Sequence, residues 1–341
     1  MKFPWTIATL AVAITPVAAI EATPRTDYNL FLGAEIDAAF DENSIRTNLD
    51  QLSLPVEIQY ERKISDYIKT YLMYGKNETQ TLLNRTELYF PLFEKYLEEY
   101  GLPQELKYLS MIESELRSDA LSGASAAGLW QLMPATATEF GLTINEQVDE
   151  RYDPVKSTKA ALTMLSSLHQ KYCDWRLVLA AYNSGAGRVN KAIRMAGSTD
   201  YEAIKQYLPI ETQNYLPKYV AAAYVGHYFE DYGLNPKDHK IDFGKLTVLT
   251  VYTKLTFSEV AETTGLSIHA VRSLNPAYLQ DVLPRTTSGN FLVVPEKVAT
   301  TLKDYLKELG QSKGAVAKLD TKYQKGLPFW GIFASVETAA A

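Results

Sequence analysis

Glu113 is the residue best placed to do chemistry. It stands in the run Met111-Ile112-Glu113-Ser114-Glu115-Leu116, on a segment whose apolar residues Leu106, Leu109, Ile112 and Leu116 recur at helical spacing. Gly101 and Leu102 end a turn, and Pro103 suits the first position of a helix. At about 100° per residue, Glu113 falls within the apolar stripe, on the side of Leu102, Leu106 and Leu109, while Glu115 faces away. A carboxyl group on a buried face is penalised in its charged form and keeps its proton near neutral pH. Such a group can act as a general acid, the role that opens a glycosidic bond. A Glu near a helix end can equally lean out to solvent or cap an amide, and periodicity alone leaves both readings open.

Other reactive residue types offer less. Cys173 is the only cysteine, so no intrachain disulfide can form. Its one candidate base is His169, a helical turn upstream, and the position reads better as a small buried residue near a helix end. His169, His227, His239 and His269 are scattered without metal-ligand spacing, so neither a metal nor another cofactor is expected. Gly185-Ala186-Gly187 follows a helix rather than a strand, which argues against a phosphate-binding loop. The net charge of −6 gives no electrostatic footprint for nucleic acid and does not favour an anionic membrane surface. A polymeric ligand would instead be held by hydrogen bonds and stacking, which 23 Tyr and 4 Trp can supply.

The elements that must position Glu113 are mostly helical. With 341 residues, 46% of them hydrophobic, the chain has room for two or three domains. Residues 1–19 read as an export signal: Lys2 supplies charge, residues 7–14 an apolar core and Val17-Ala18-Ala19 a cleavage site. A retained membrane tether is the alternative, although Pro16 and Glu21 bracket a short run. Residues 20–55 are a polar arm. Helical patterning runs over residues 56–100, broken at Tyr74-Gly75-Lys76-Asn77. Further helices are expected over residues 134–140, 154–171 behind an Asp153 cap, 175–182 behind Asp174, 188–195, and 211–232, the last interrupted or restarted at Pro217. After Asn235-Pro236 the pattern changes to strand, helix, helix, strand over residues 246–295, then one amphipathic helix and a tail over 296–341. The fold class is α+β, predominantly α.

Four segments stand in order: Glu113-Ser114, Gly128-Leu129-Trp130-Gln131, Ala180-Ala181-Tyr182-Asn183-Ser184-Gly185, and Glu211-Thr212-Gln213-Asn214-Tyr215-Leu216-Pro217-Lys218-Tyr219. Together they resemble the lytic transglycosylase domain of the soluble lytic transglycosylase type, related in fold to goose-type lysozyme, over residues 55–235. Trp130 in place of the more usual Met, behind Tyr-rich helices, resembles the membrane-bound D-type branch. The resemblance implies a lysozyme-like helical domain in residues 56–235, with Glu113 as its single catalytic acid/base. It implies that Ser122, Gly128 and Gln131 line a sugar groove, that Tyr182 and Asn183 lie beside the cleavage site, and that Tyr215 hydrogen-bonds the glutamate. Taken alone, Ser122 and Gly128 could simply shape a loop, Tyr182 and Tyr215 could be core aromatics, and Trp130 could be groove wall or core.

The implied partner is the glycan strand of peptidoglycan, cleaved without water between N-acetylmuramic acid and N-acetylglucosamine. The implied location is periplasmic or elsewhere in the cell envelope. A hydrolase acting on the same bond would need a second carboxylate, for which Asp119, Asp149 and Asp153 are the candidates. A non-catalytic wall-binding protein is the third reading. Residues 246–295 resemble a LysM module through Phe257-Ser258-Glu259-Val260-Ala261-Glu262 and Leu274-Asn275-Pro276, but Thr253-Lys254-Leu255-Thr256 departs from the usual Gly-Asp-Thr-type turn. That departure bears on glycan binding more than on the fold.

Overall fold

A computed structural model describes residues 41–236, 246–287 and 289–313. Backbone contacts divide the chain into two units at Glu42, and the second, from Asn43 on, holds both the helical part and the C-terminal module. The expected export signal and the tail beyond Lys313 lie outside the described residues.

The helical part is built around α10 (Ile210–Tyr228). Its residues 219–225 are buried on every side, from Tyr219 through Val225, as expected of a helix that lacks a polar face. Pro217 deprives the Gln213 carbonyl of its bond without ending the helix. Against α10 pack α2 (Arg62–Lys69), α4 (Leu109–Ser114) and α7 (Trp175–Ser184). A shell of α1 (Glu42–Gln51), α3 (Lys76–Glu99), α5 (Pro134–Glu139), α6 (Pro154–Tyr172), α8 (Ala186–Ala196) and α9 (Tyr201–Lys205) completes this part.

Caps set several boundaries. The Asp153 carboxylate accepts from the Val155 and Lys156 amides at the start of α6, and Asp174 accepts from Arg176 at the start of α7. Gly197 closes α8 in the left-handed region. Three expectations are corrected. Residues 56–61 are not helical; α2 begins at Arg62, extended by a π-turn over Thr70–Tyr74 before the break at Gly75. The arm contains a helix, α1, held by the buried side chains of Ile45 and Leu49. Cys173 is exposed rather than buried, because it ends α6 in a left-handed conformation that turns its side chain outward.

The C-terminal module pairs β1 (Leu246–Val251) antiparallel with β4 (Asn290–Pro295), from Leu246 opposite Pro295 to Val251 opposite Asn290. Two short strands not anticipated from the sequence, β2 (Leu255–Thr256) and β3 (Val282–Leu283), pair beside them. Between lie α11 (Phe257–Thr264), opened by a Thr256/Glu259 capping box, and α12 (Ile268–Leu274). Asn275 locks α12 to β4: its buried amide donates to the Val271 and Val293 carbonyls and accepts from the Val293 N–H. The following α13 (Glu296–Lys313) adds Ala299, Leu302 and Leu306 to the module's core. The strand, helix, helix, strand order and the predominantly helical α+β class both hold.

Gly226 offers a test of the packing around α10. A Cβ there would meet Tyr108 Cε1 at 2.2 Å, and that ring is held edge-on to Phe90 at 5.5 Å. Gly to Ala in a helix ordinarily stabilises by about 1 kcal/mol. Here overpacking reverses the sign, and Gly226→Ala should lower stability by about 1–3 kcal/mol in urea denaturation.

Candidate active site

Glu113 is carried by α4, six residues long, entered through a 3-10 turn (Gln104–Tyr108) rather than at Pro103 as the spacing suggested. The helix ends abruptly because Glu115 and Leu116 both take left-handed backbone angles, with φ of 52° and 58°. Such residues cost on the order of 1 kcal/mol or more each. Burial of Leu116 and a 2.9 Å hydrogen bond from Arg85 Nη1 to the Glu115 carbonyl hold them there. Ser114, buried beside Glu113, brings its hydroxyl within 2.9 Å of the Leu129 carbonyl, tying α4 to the loop that follows.

The Glu113 carboxyl is withdrawn from water, which pushes its pKa up to about 7 from an ordinary 4.5. The Tyr215 hydroxyl donates to Oε1 at 2.5 Å and opposes that rise. The charge of Glu211 adds to it, and that of Lys218 opposes it. Tyr182 donates to the Trp130 carbonyl at 2.7 Å. Burial, with the charge of Glu113, holds the phenols of Tyr182 and Tyr215 well above their usual range, so both remain donors.

The loop over residues 120–132 is shaped by its own hydrogen bonds. Ser122 Oγ accepts from the Ala126 amide at 2.9 Å, and the Gly128 amide donates to the Ala120 carbonyl at 2.8 Å. Gly128 has φ of +76°, and a Cβ there would fall 1.9 Å from the Arg151 carbonyl oxygen, so no other residue fits. Gln131, also left-handed at φ 46°, donates through Nε2 to the Gly128 carbonyl at 3.0 Å. Beneath the loop Arg151 is paired with Asp149 at 2.6 Å, each side chain 6% exposed. Its Nη1 donates to the carbonyls of Ser125 and Leu132.

Of the residues singled out from the sequence, Glu113 and Tyr215 are hydrogen-bonded to each other, and the charge of Glu113 reaches the Tyr182 phenol. Asn183 is bonded instead to Thr212, whose hydroxyl donates to Oδ1 at 2.8 Å. Ser122 and Gln131 hold the loop. Trp130 is core: it is wholly buried, donates to Thr158 Oγ1 at 2.9 Å and packs edge-on to Phe93. Among the carboxylates weighed for hydrolysis, Asp149 is spent on Arg151 and Asp153 on capping α6, while Asp119 lies exposed beside Arg117. The carboxylate whose charge reaches Glu113 is Glu211. Lys218, Thr212 and Arg151 also belong to this arrangement without being singled out by the sequence. The first two lie inside the fourth motif; Arg151 carries no local signal. Among the described residues no three His, Cys, Asp or Glu gather as metal ligands.

Residues 91–205 match the model of the Transglycosylase SLT domain family. Residues 245–311 match the LysM-like domain of lytic transglycosylase MltD. The chain is 30% identical to membrane-bound lytic murein transglycosylase D of Escherichia coli K12 over 288 residues, covering 83% of this chain and 59% of that one. It is 28% identical to membrane-bound lytic murein transglycosylase C of Haemophilus influenzae over 158 residues, 37% of this chain and 44% of the relative. The chain therefore spans about half to three-fifths of the length of these relatives. Among solved structures it is similar to the 70-kDa soluble lytic transglycosylase of Escherichia coli, with 27% identity and a TM-score of 0.36 over 42% of this chain and 24% of that one. The SLT match takes in Glu113, Gln131 and Tyr182 but stops before Tyr215, which α10 supplies.

The raised Glu113 pKa makes a stability prediction that needs no substrate. Folded, Glu113 holds its proton to about pH 7; unfolded, it releases it near 4.5. Stability is therefore lost as pH rises between those values, and the penalty is complete above 7. Glu113→Gln should be more stable than the wild type at pH 8 by roughly 1–3 kcal/mol. That difference should vanish at pH 4. Urea denaturation of both proteins at the two pH values measures it.

Proposed function

We propose that this protein is a peptidoglycan lytic transglycosylase of the cell envelope, with Glu113 as its single general acid/base. The observation that carries the reading is the Glu113 carboxyl itself, desolvated to a pKa of about 7 and oriented by Tyr215. A group with that pKa is available near neutrality both as an acid and as its conjugate base. The reaction needs both forms in succession.

In the first step the Glu113 proton passes to the glycosidic oxygen between N-acetylmuramic acid and N-acetylglucosamine, and the C1–O bond breaks. The positive charge at C1 is shared with the sugar's own N-acetyl group. Glu113, now a carboxylate, takes the proton of the C6 hydroxyl as that oxygen bonds to C1. The product is a 1,6-anhydro end, Glu113 regains its proton, and no water enters. Hydrogen bonding from Tyr215 holds the carboxylate in place through both steps. The engagement of Asp149 and Asp153 elsewhere favours this scheme over hydrolysis. Export supplies access to the substrate, and among the described residues no helix is long and apolar enough to cross a membrane.

Mass spectrometry of soluble products released from purified peptidoglycan tests the proposal. Products ending in 1,6-anhydro-N-acetylmuramic acid are expected from the wild type and none from Glu113→Gln. Reducing ends would instead mean a hydrolase, with Glu211 as the first carboxylate to examine. Binding to insoluble wall without release would mean a non-catalytic protein.

The pH–rate profile gives a second test. Activity should fall as pH rises through about 7, where Glu113 loses its proton. The Tyr215 hydrogen bond favours the ionised carboxyl, so Tyr215→Phe should move that fall to higher pH while lowering the maximum rate. A profile left in place would remove Tyr215 from its orienting role.

A further inference from the structure

The segment between α5 and α6 has two faces. On one, residues 146–149 form a strap against the C-terminal module: Val148 bridges Tyr278, the Asp149 amide donates to the Ala277 carbonyl at 2.9 Å, and the Leu279 amide donates to the Gln147 carbonyl at 3.0 Å. Gln280 Nε2 adds a bond to the Glu146 carbonyl at 3.0 Å. The Val148 side chain, 7% exposed, lies in the module's own core with Leu255, Phe257 and Leu283. On the other face, Asp149 holds the Arg151 guanidinium, which donates to two carbonyls of the active-site loop. The carbonyl of Arg151 is also the floor on which Gly128 lies.

We propose that the C-terminal module is a positioning element for the active site. By fixing residues 146–149 it fixes Asp149 and Arg151. Through Arg151 it fixes the loop that carries Gln131 and, by way of the Leu129 carbonyl, the Ser114 hydroxyl next to Glu113. Val148 is the positioning residue at the joint. Asp149 is the turning point, because its amide faces the module while its carboxylate holds the Arg151 guanidinium that reaches the loop. The alternative is a module that serves only as a separate anchor on the wall. Only the kinetic consequence rests on the proposed transglycosylase activity.

Val148→Ser in the full chain separates the two, since it removes the apolar plug without altering the side chains of Asp149 or Arg151. Amide hydrogen exchange is read at Gly128 and Leu132, which donate to the Ala120 and Ala127 carbonyls. Both should exchange about tenfold faster or more, while amides within α6 and α7 stay protected as an internal reference. On a soluble glycan fragment too short to reach the module, kcat should fall several-fold with KM little moved. Faster exchange in β1 and β4 with Gly128 and Leu132 unchanged would overturn the proposal. If Val148→Ser also loses protection in α6 and α7, Gln280→Ala decides on the same two amides, because it removes one exposed contact to Glu146 without touching the core. Exchange is read without turnover. A wild type that releases no muropeptide would therefore overturn the functional reading and leave this result standing.

Discussion

In the role proposed for Glu113, a carboxyl group that gives up a proton near neutral pH must be kept from water and still be reachable by a substrate. The structure around Glu113 is consistent with that constraint. Full burial inside a long helix would close the carboxyl off, and a position on an ordinary surface helix would leave it ionised. The chain resolves the conflict by making α4 short and ending it with two left-handed residues immediately after Ser114. Four of the six non-glycine residues with positive φ among the described ones, Glu115, Leu116, Ser125 and Gln131, fall in this stretch. Strained backbone of this kind persists only where the surroundings over-determine it, and here they do, through Arg85, Ser114, Arg151 and the burial of Leu116.

The tyrosines refine the same balance. A phenol that donates to Glu113 stabilises its ionised form and lowers its pKa, against the larger rise from desolvation. Had burial acted alone, the carboxyl would hold its proton more firmly, which would hinder the base role proposed for it. The partial offset by Tyr215 and Lys218 brings the two forms close in free energy near neutrality. Tyr182 serves differently: its hydroxyl is committed to the Trp130 carbonyl, so it fixes the loop against α7.

Legibility in the sequence followed the range of the interactions. Local rules sufficed for caps and breaks: Asp153, Asp174, Gly75 and Gly197 all work within one helical turn of where they stand. The apolar stripe that included Glu113 was also local, and it led to the desolvated carboxyl. Pro103 and Leu116 mislead because a 3-10 turn and a left-handed exit keep nearly the same apolar spacing as a continuous helix. Cys173 misleads for a related reason: small size suggests burial, but a left-handed terminal residue turns its side chain outward. The strands β2 and β3, two residues each, are too short to show alternation.

What no local pattern could disclose is the work of Arg151. A buried ion pair is weak support for stability in itself, since desolvating two charges offsets much of their attraction. The pair with Asp149 matters because the guanidinium has donors left over, and these reach carbonyls 26 and 19 residues away in sequence, Ser125 and Leu132. Without it those carbonyls would face a buried charge or nothing, at a cost of roughly 1–3 kcal/mol for each polar group left unsatisfied. An arginine that appears in sequence as one charge among 34 Lys and Arg therefore supports the loop from below. Gly128, whose missing side chain lets that loop lie directly on the Arg151 carbonyl, supplies the matching surface. The motif residue and the unmarked arginine are two halves of one contact, which is why a motif can be read from the sequence while the reason for it cannot.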